Sequence, residues 1–169
     1  MDKPDPAATA LIEHILATAP DLTLATLRQD GAPHASTVNF AHRGLPGGLH
    51  LYAAISLDSG KAHEVHHDPR VALTVNLPYK SWADIQGLAI DGSAAFVTDR
   101  QELAAVAALL RRKLPAYDTI IERPDVLPWP GMLFMRISVR DLALLDYTRG
   151  YGHTSRFRYD EAQAEAGPD

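Results

Sequence analysis

Hydrophobic positions recur three and four residues apart in two places along this chain and two residues apart over much of the rest. Leu11, Ile12, Ile15 and Leu16 form the first stripe. Asp5 is placed to cap it and Pro6 suits a first turn, so residues 5–19 are read as an amphipathic helix ended by Pro20. Leu103, Val106, Ala107, Leu110 and Leu114 form the second stripe, over residues 100–114. Thr98 with Gln101, or Asp99 with Glu102, offers a capping box there, and Arg111, Arg112 and Lys113 suit the carboxyl end.

From Leu22 the period is two. Leu22, Leu24 and Thr26 alternate with Thr23, Ala25 and Leu27, and Asp30-Gly31 supplies the positive φ of a tight hairpin turn. Pro33 stands at the entry to the next strand, where a missing N–H costs least. That strand is read over residues 34–42, polar on both faces, and is broken by a loop of Arg43-Gly44-Leu45-Pro46-Gly47-Gly48. Leu49, Leu51, Ala53 and Ile55 share one face of a third strand. Asp58 or Ser59 then caps a helix of about two turns, stopped by Asp68-Pro69. Val71, Leu73, Val75 and Leu77 alternate as strand four. Residues 84–98 read as a long bent strand, with Gly87 and Gly92 at bulges or bends and Trp82 and Gln86 at its start. The prolines of residues 115–131 predict an ordered loop or lid, 132–146 return to strand, and the polar residues after Ser155 are read as a fraying tail.

Six or so antiparallel strands with a few flanking helices imply a mainly β protein of the α+β class. Its sheet should curl into a small closed or nearly closed barrel, because the crossover helices of a doubly wound sheet are missing. The chain is read as one domain: a helix in 1–20, the barrel in 21–154 and a polar tail in 155–169.

Composition narrows the partners. With 169 residues and a net charge of −5, the chain lacks the basic surface that nucleic acid demands. It has no cysteine, so disulfides, thiolate metal sites and cysteine nucleophiles are excluded. Asp2, Asp5, Glu13 and His14 interrupt any leader-like apolar run, and no window has the apolar length of a membrane helix. The expectation is a cytoplasmic protein with neither nucleic acid nor membrane as partner.

Four segments could carry chemistry. Ser59-Gly60-Lys61 puts a hydroxyl, free helix N–H groups and an ammonium at one helix start, the makings of a phosphate site. His34, Ala35, Ser36, Thr37 and Val38 form a strand of small or polar side chains that suits a flat ligand lying against backbone. Around Gly150-Tyr151-Gly152, a turn brings Arg149 and His153 toward a ligand, while Trp82 could stack on an aromatic ring. His63-Glu64-Val65-His66-His67 matches the zinc-peptidase pattern, but Asp68-Pro69 ends the helix at once and these histidines read as a solvated face. There is no Gly-x-Gly-x-x-Gly, P-loop or Gly-x-Ser-x-Gly.

Taken in order, Leu24-Ala25-Thr26-Leu27, Asp30-Gly31-x-Pro33, Ser59-x-Lys61 and Asp68-Pro69-Arg70-Val71 resemble the pyridoxamine 5′-phosphate oxidase-like family of FMN-binding split barrels. The resemblance runs from Leu22 to His153, and its ending is similar to a bacterial branch mostly without an assigned substrate. It implies a homodimer holding two FMN molecules at the subunit interface. His34 to Val38 would line the flavin, largely through main-chain atoms, and Ser59 and Lys61 would hold its phosphate. Gln86 would reach the ring system from the partner subunit, with Trp82 nearby; Arg149 and His153 stand, from the turn they share, as candidates for touching the substrate or supporting its site. No catalytic acid or base and no metal is implied. Family members that oxidise pyridoxamine phosphate carry an arginine where His34 stands, a second basic residue where Gly60 stands and an Arg-x-His ending, so that reaction is not expected here. Three functions follow. The first is an FMN-dependent oxidoreductase acting on a small organic substrate with NAD(P)H or oxygen; a deazaflavin is the variant cofactor. The second is a haem-binding or haem-degrading protein using His153 or one of His63, His66 and His67. The third is a flavin-binding or stress-related module without turnover.

Overall fold

The computed structural model describes residues 3–45 and 48–159. Helix α1 (Pro6–Thr18) starts where expected, with the Asp5 carboxylate accepting from the Ala8 N–H at 2.8 Å. Strands β1 (Asp21–Leu27) and β2 (Pro33–Asn39) form the predicted hairpin, with Leu24 opposite Ser36 and Thr26 opposite His34. Its turn is longer than the two-residue form. Arg28 N–H donates to the Ala32 carbonyl, Gly31 N–H donates to the Arg28 carbonyl, and only Gly31, at φ +82°, is left-handed.

The strand expected over 34–42 ends at Asn39. A new strand, β3 (Ala41–Leu45), begins after Phe40 and pairs with β4 (Gly48–Ser56), Ala41 facing Tyr52. Arg43, Gly44 and Leu45 are therefore strand rather than loop, while Pro46 and Gly47 fall outside the described residues. Phe40 makes the break. Its ring is fully buried, with the Lys113 ammonium 3.5 Å from its centroid, and the chain passes from one sheet edge to the other there.

After α2 (Gly60–His67), strands β5 (Arg70–Asn76), β6 (Gln86–Phe96), β7 (Met132–Asp146) and β8 (Thr154–Arg158) complete an eight-stranded sheet. Its order is β2-β1-β5-β6-β7-β4-β3, with β8 beside the far half of β7. The two end strands, β2 and β3, are separated in sequence by Phe40 alone. The sheet must therefore curl until its edges meet, which makes it a split barrel. Two strands exceed the expected six: one arises from the break at Phe40, and β8 extends the sheet into the segment read as a polar tail.

Trp82 lies outside β6, in a single 3₁₀ turn (Trp82–Asp84) capped by Ser81. The bulge expected at Gly92 is present, but the extra residue is Arg140 on β7, since Asp91 faces Asp141 and Gly92 faces Val139. Gly87 causes no register shift. It is instead a close approach, where a Cβ would press on the Val75 carbonyl at 3.0 Å.

The barrel interior is filled by residues such as Leu24, Leu51, Val75, Leu88 and Ile137, and closed by Ile12, Ile15 and Leu16 of α1. A second apolar cluster lies between helix α3 (Arg100–Lys113) and the other face of β4, around Leu103, Val106, Leu110, Tyr52 and Phe134. Trp129, from the proline-rich loop, sits in it fully buried. Asp99 caps α3 through the Glu102 N–H at 2.8 Å, but the Glu102 carboxylate takes Arg136 at 2.9 Å and the Tyr52 hydroxyl at 3.2 Å. None of the described helices is long and apolar enough to cross a membrane.

Candidate functional site

Helix α2 starts on Ser59, whose hydroxyl donates to the Ser56 carbonyl at 2.8 Å and accepts from the Ala62 N–H at 3.3 Å. The N–H groups of Gly60 and Lys61 head the helix with no acceptor inside it. Among the described residues, Lys61 has no carboxylate partner. In β2, Ala35 and Thr37 stand on the exposed face, while His34, Ser36 and Val38 turn toward the barrel. The Ser36 hydroxyl is buried without a hydrogen-bond partner among the described residues.

A carboxylate that the sequence offers only as part of the zinc-peptidase pattern joins the two elements. Side chains on a helix lean toward its amino end, so Glu64, one turn after Gly60, lies back over that first turn. Its carboxylate accepts from Thr26 Oγ1 at 2.5 Å and from His34 Nδ1 at 2.9 Å, with Arg28 Nε at 3.9 Å. Burial pushes this carboxyl up, but the hydrogen bonds from Thr26 and His34 and the nearby charges more than reverse that and leave it below its ordinary range. Glu64 thus turns inward while His63 and His67 are exposed, so the zinc-peptidase pattern does not converge.

The second group forms where β6 begins and β7 ends. Gln86 Nε2 and Thr148 Oγ1 both donate to Asp146 Oδ1, at 3.0 and 2.6 Å. Burial pushes the Asp146 carboxyl up, and these two bonds outweigh it, holding it below the usual range. Gly150 and Gly152, both at positive φ, fold the following turn back so that the Asp146 N–H meets the His153 carbonyl at 3.1 Å. Tyr151, 82% exposed, packs edge-on against the exposed Trp82 at 5.4 Å and lies 5.8 Å from Tyr147. Arg149 and His153 line a cavity of about 510 Å³ with an apolar wall of Ala8, Leu11, Leu144 and Phe157. His153 Nε2 is buried and has no hydrogen-bond partner among the described residues. Asp146 and Tyr151 belong to this group but carry no motif of their own, since their roles depend on Gln86 and Trp82, far away in sequence.

The two groups lie toward opposite ends of β5. Thr26 is next to Ala25, which faces Ala72, whereas Gln86 is next to Gly87, which faces Asn76. One chain therefore brings His34, Ser59 and Lys61 together at one end and Trp82, Gln86, Arg149 and His153 at the other. Between them runs the outer sheet face. It holds a hollow of about 400 Å³ floored by small side chains, including Thr23, Ala72, Thr74, Ala89 and Ala143.

Fold and site together define a split β-barrel with a Ser59-capped helix start carrying Lys61 on one flank and an aromatic turn on the other. The chain belongs to the pyridoxamine 5′-phosphate oxidase family, whose pattern matches residues 8–139. Among solved structures it is similar to a haem-binding protein from Mycobacterium smegmatis, at 22% identity and a TM-score of 0.68. That match covers 94% of this chain and 60% of the other, so the chain spans under two thirds of that protein. It is also similar to a candidate pyridoxamine 5′-phosphate oxidase from Listeria innocua, at 22% identity and TM-score 0.58 over 80% of this chain and 95% of that one. The haem storage protein HutZ from Vibrio cholerae matches at 20% identity and TM-score 0.61, over 76% and 87% of the two chains. At these identities the likeness speaks to the fold. No curated protein sequence matches the chain.

Proposed function

We propose that this protein binds FMN between two copies of itself and serves as a flavin-dependent oxidoreductase for a small organic substrate. The observation that carries the reading is the start of α2, where two free N–H groups stand beside Lys61, an ammonium with no carboxylate partner among the described residues. The residues present fit the group. Lys61 and the helix start would take the phosphate, and β2, with its orphaned Ser36 hydroxyl, would lie against the ring. Bound there, FMN would supply hydride and electron transfer; the chain's part is to hold, orient and shield it. The exposed Trp82 and Tyr151 offer an aromatic wall, and Gln86, fixed by Asp146, a directed amide.

A two-copy site follows from the separation of the two groups. The length of β5 spans roughly 20 Å, too far for one flavin to touch both ends within one chain. Packing a second copy over the small-residue face would bring one copy's aromatic turn to the other's helix start. Ala89 is exposed on that face. Ala89→Glu is therefore expected to turn a dimer into a monomer by light scattering and to abolish FMN retention with it. A monomeric variant that still keeps FMN would rule out the shared site.

A second reading rests on His153. Its Nε2 has no hydrogen-bond partner among the described residues, and the ring lines a cavity shared with Arg149, so a modest turn of the ring would offer an iron ligand with a cation nearby for a propionate. Two of the similar structures are haem proteins by name. An absorbance spectrum after adding FMN or haem and desalting separates the readings. Retained FMN at about one per chain, lost in Lys61→Ala while riboflavin binding is little changed, supports the flavin site. A Soret band lost in His153→Ala, with no FMN retained, supports haem. Anaerobic reduction of bound FMN by NADH or NADPH then separates an oxidoreductase from a module without turnover.

A further inference from the structure

We infer that Glu64 is a built-in anion beside the phosphate seat and limits how strongly that seat favours FMN over riboflavin. The inference rests on the reading of α2 as the flavin-phosphate site and adds the residue that tunes it.

A Cβ placed on Gly60 would lie 3.6 Å from Glu64 Oε1 and 4.0 Å from His34 Cε1, so carboxylate and imidazole both rest on the first turn of α2. Two groups that could serve an incoming phosphate already hydrogen-bond this carboxylate, the Thr26 hydroxyl and the His34 N–H, and the half-exposed Arg28 guanidinium is drawn toward it at 3.9 Å. The Glu64 side chain is only 11% exposed, so water screens it weakly. A phosphate approaching Gly60 and Lys61 meets a fixed negative charge within a few ångströms, and the imidazole that could offset its charge is held by that same carboxylate. Lys61 alone, with no carboxylate partner among the described residues, remains as a free cation.

The consequence is a graded affinity. A phosphate must either tolerate Glu64 or draw His34 and Arg28 away from it, and both weaken the complex. Riboflavin, without the phosphate, avoids the conflict. Glu64 is thus a specificity-determining residue, and its removal should favour FMN over riboflavin.

Two titrations on the full chain test this. FMN and riboflavin binding are followed by quenching of flavin fluorescence in wild type and Glu64→Gln, with Glu64→Ala as the second variant should the amide fail to fold. The expected result is an FMN-to-riboflavin affinity ratio raised about tenfold, the scale of a like charge removed near a bound anion. Thermal melts with and without inorganic phosphate form the second arm. The variant should gain more in melting temperature from phosphate than wild type does. If flavins bind but the ratio is unchanged or falls, the role of Glu64 is overturned and the flavin reading stands. If no flavin binds yet phosphate stabilises the variant selectively, the role of Glu64 stands and the flavin reading falls. Neither response overturns both.

Discussion

Alanine at residue 92 is expected to lower the stability of this protein by about 3 kcal/mol, and valine there to prevent folding. Gly92 lies where β6 bends past the bulge in β7, and its buried face looks straight at the β7 backbone. A Cβ added there would sit well inside contact with the Ser138 carbonyl oxygen and 3.5 Å from Ile137 Cγ2. The obstacle is backbone, hydrogen-bonded into the sheet, so it cannot swing away as a side-chain end would. The strands would have to part at the point where the barrel turns. For a chain of this size, about 3 kcal/mol lowers the melting temperature by roughly 6–12 °C. Gly44→Ala is the matched control: it lies in exposed strand with nothing within 4 Å of the methyl that alanine would add, and it should be neutral or slightly stabilising. A Gly92→Ala protein that melts within about 2 °C of wild type would show that the strands tolerate the methyl, and the account of the bend would be wrong.

What the sequence could reveal depended on how local each determinant is. Strand β5 was legible because one face is buried and the other exposed, so Val71, Leu73 and Val75 alternate without interruption. The start of α2 was legible for a similar reason, since Ser59, Lys61 and Asp68-Pro69 act over a single helix. Strand β4 was only half legible. Leu49, Leu51, Ala53 and Ile55 mark one face, but the other is buried as well, under α3. There His50 meets the Tyr52 hydroxyl at 3.2 Å, and Tyr52 in turn reaches Glu102 and, through it, Arg136. Burial lowers His50, and burial beside Glu102 pushes Tyr52 up to about 12. No local spacing predicts a network drawn from β4, α3 and β7. The break at Phe40 was hidden because Val38, Phe40 and His42 continue a period of two across it, and β8 because it places only Phe157 near the core, with Tyr159 just beyond its end. The site divides in the same way. His34, Ser59 and Lys61 were found as separate pieces, whereas Glu64, which links the first two, becomes visible only when α2 lies across the β1–β2 hairpin.

The second large effect concerns the proline-rich loop, which the sequence left open as an ordered loop or a lid. Trp129→Ala is expected to cost about 4 kcal/mol, because the indole is a plug in the second core and not part of a moving cover. Trp129 is 1% exposed, with ring centroids 5.1 Å from Tyr117 and 4.8 Å from Phe134. It fills the space between α3 and the sheet, and the surroundings cannot close over so large a void. Its Nε1–H is buried without a partner among the described residues, so Trp129→Phe trades lost area against removal of an unsatisfied donor and should cost only about 1 kcal/mol. The loop's end also anchors the edge of the site, since the Leu57 N–H donates to the Gly131 carbonyl at 3.0 Å just before Ser59. Tryptophan fluorescence gives a direct readout. The chain has two tryptophans, and in Trp129→Phe the emission should come only from the exposed Trp82, shifted to the red. A lid would behave differently: removing its anchor would leave the melting temperature near wild type and speed ligand exchange. Unchanged melting of Trp129→Ala with faster flavin release would therefore restore the lid, whereas a large fall in melting temperature fixes residues 115–131 as a structural part of the barrel that holds the helix start in place.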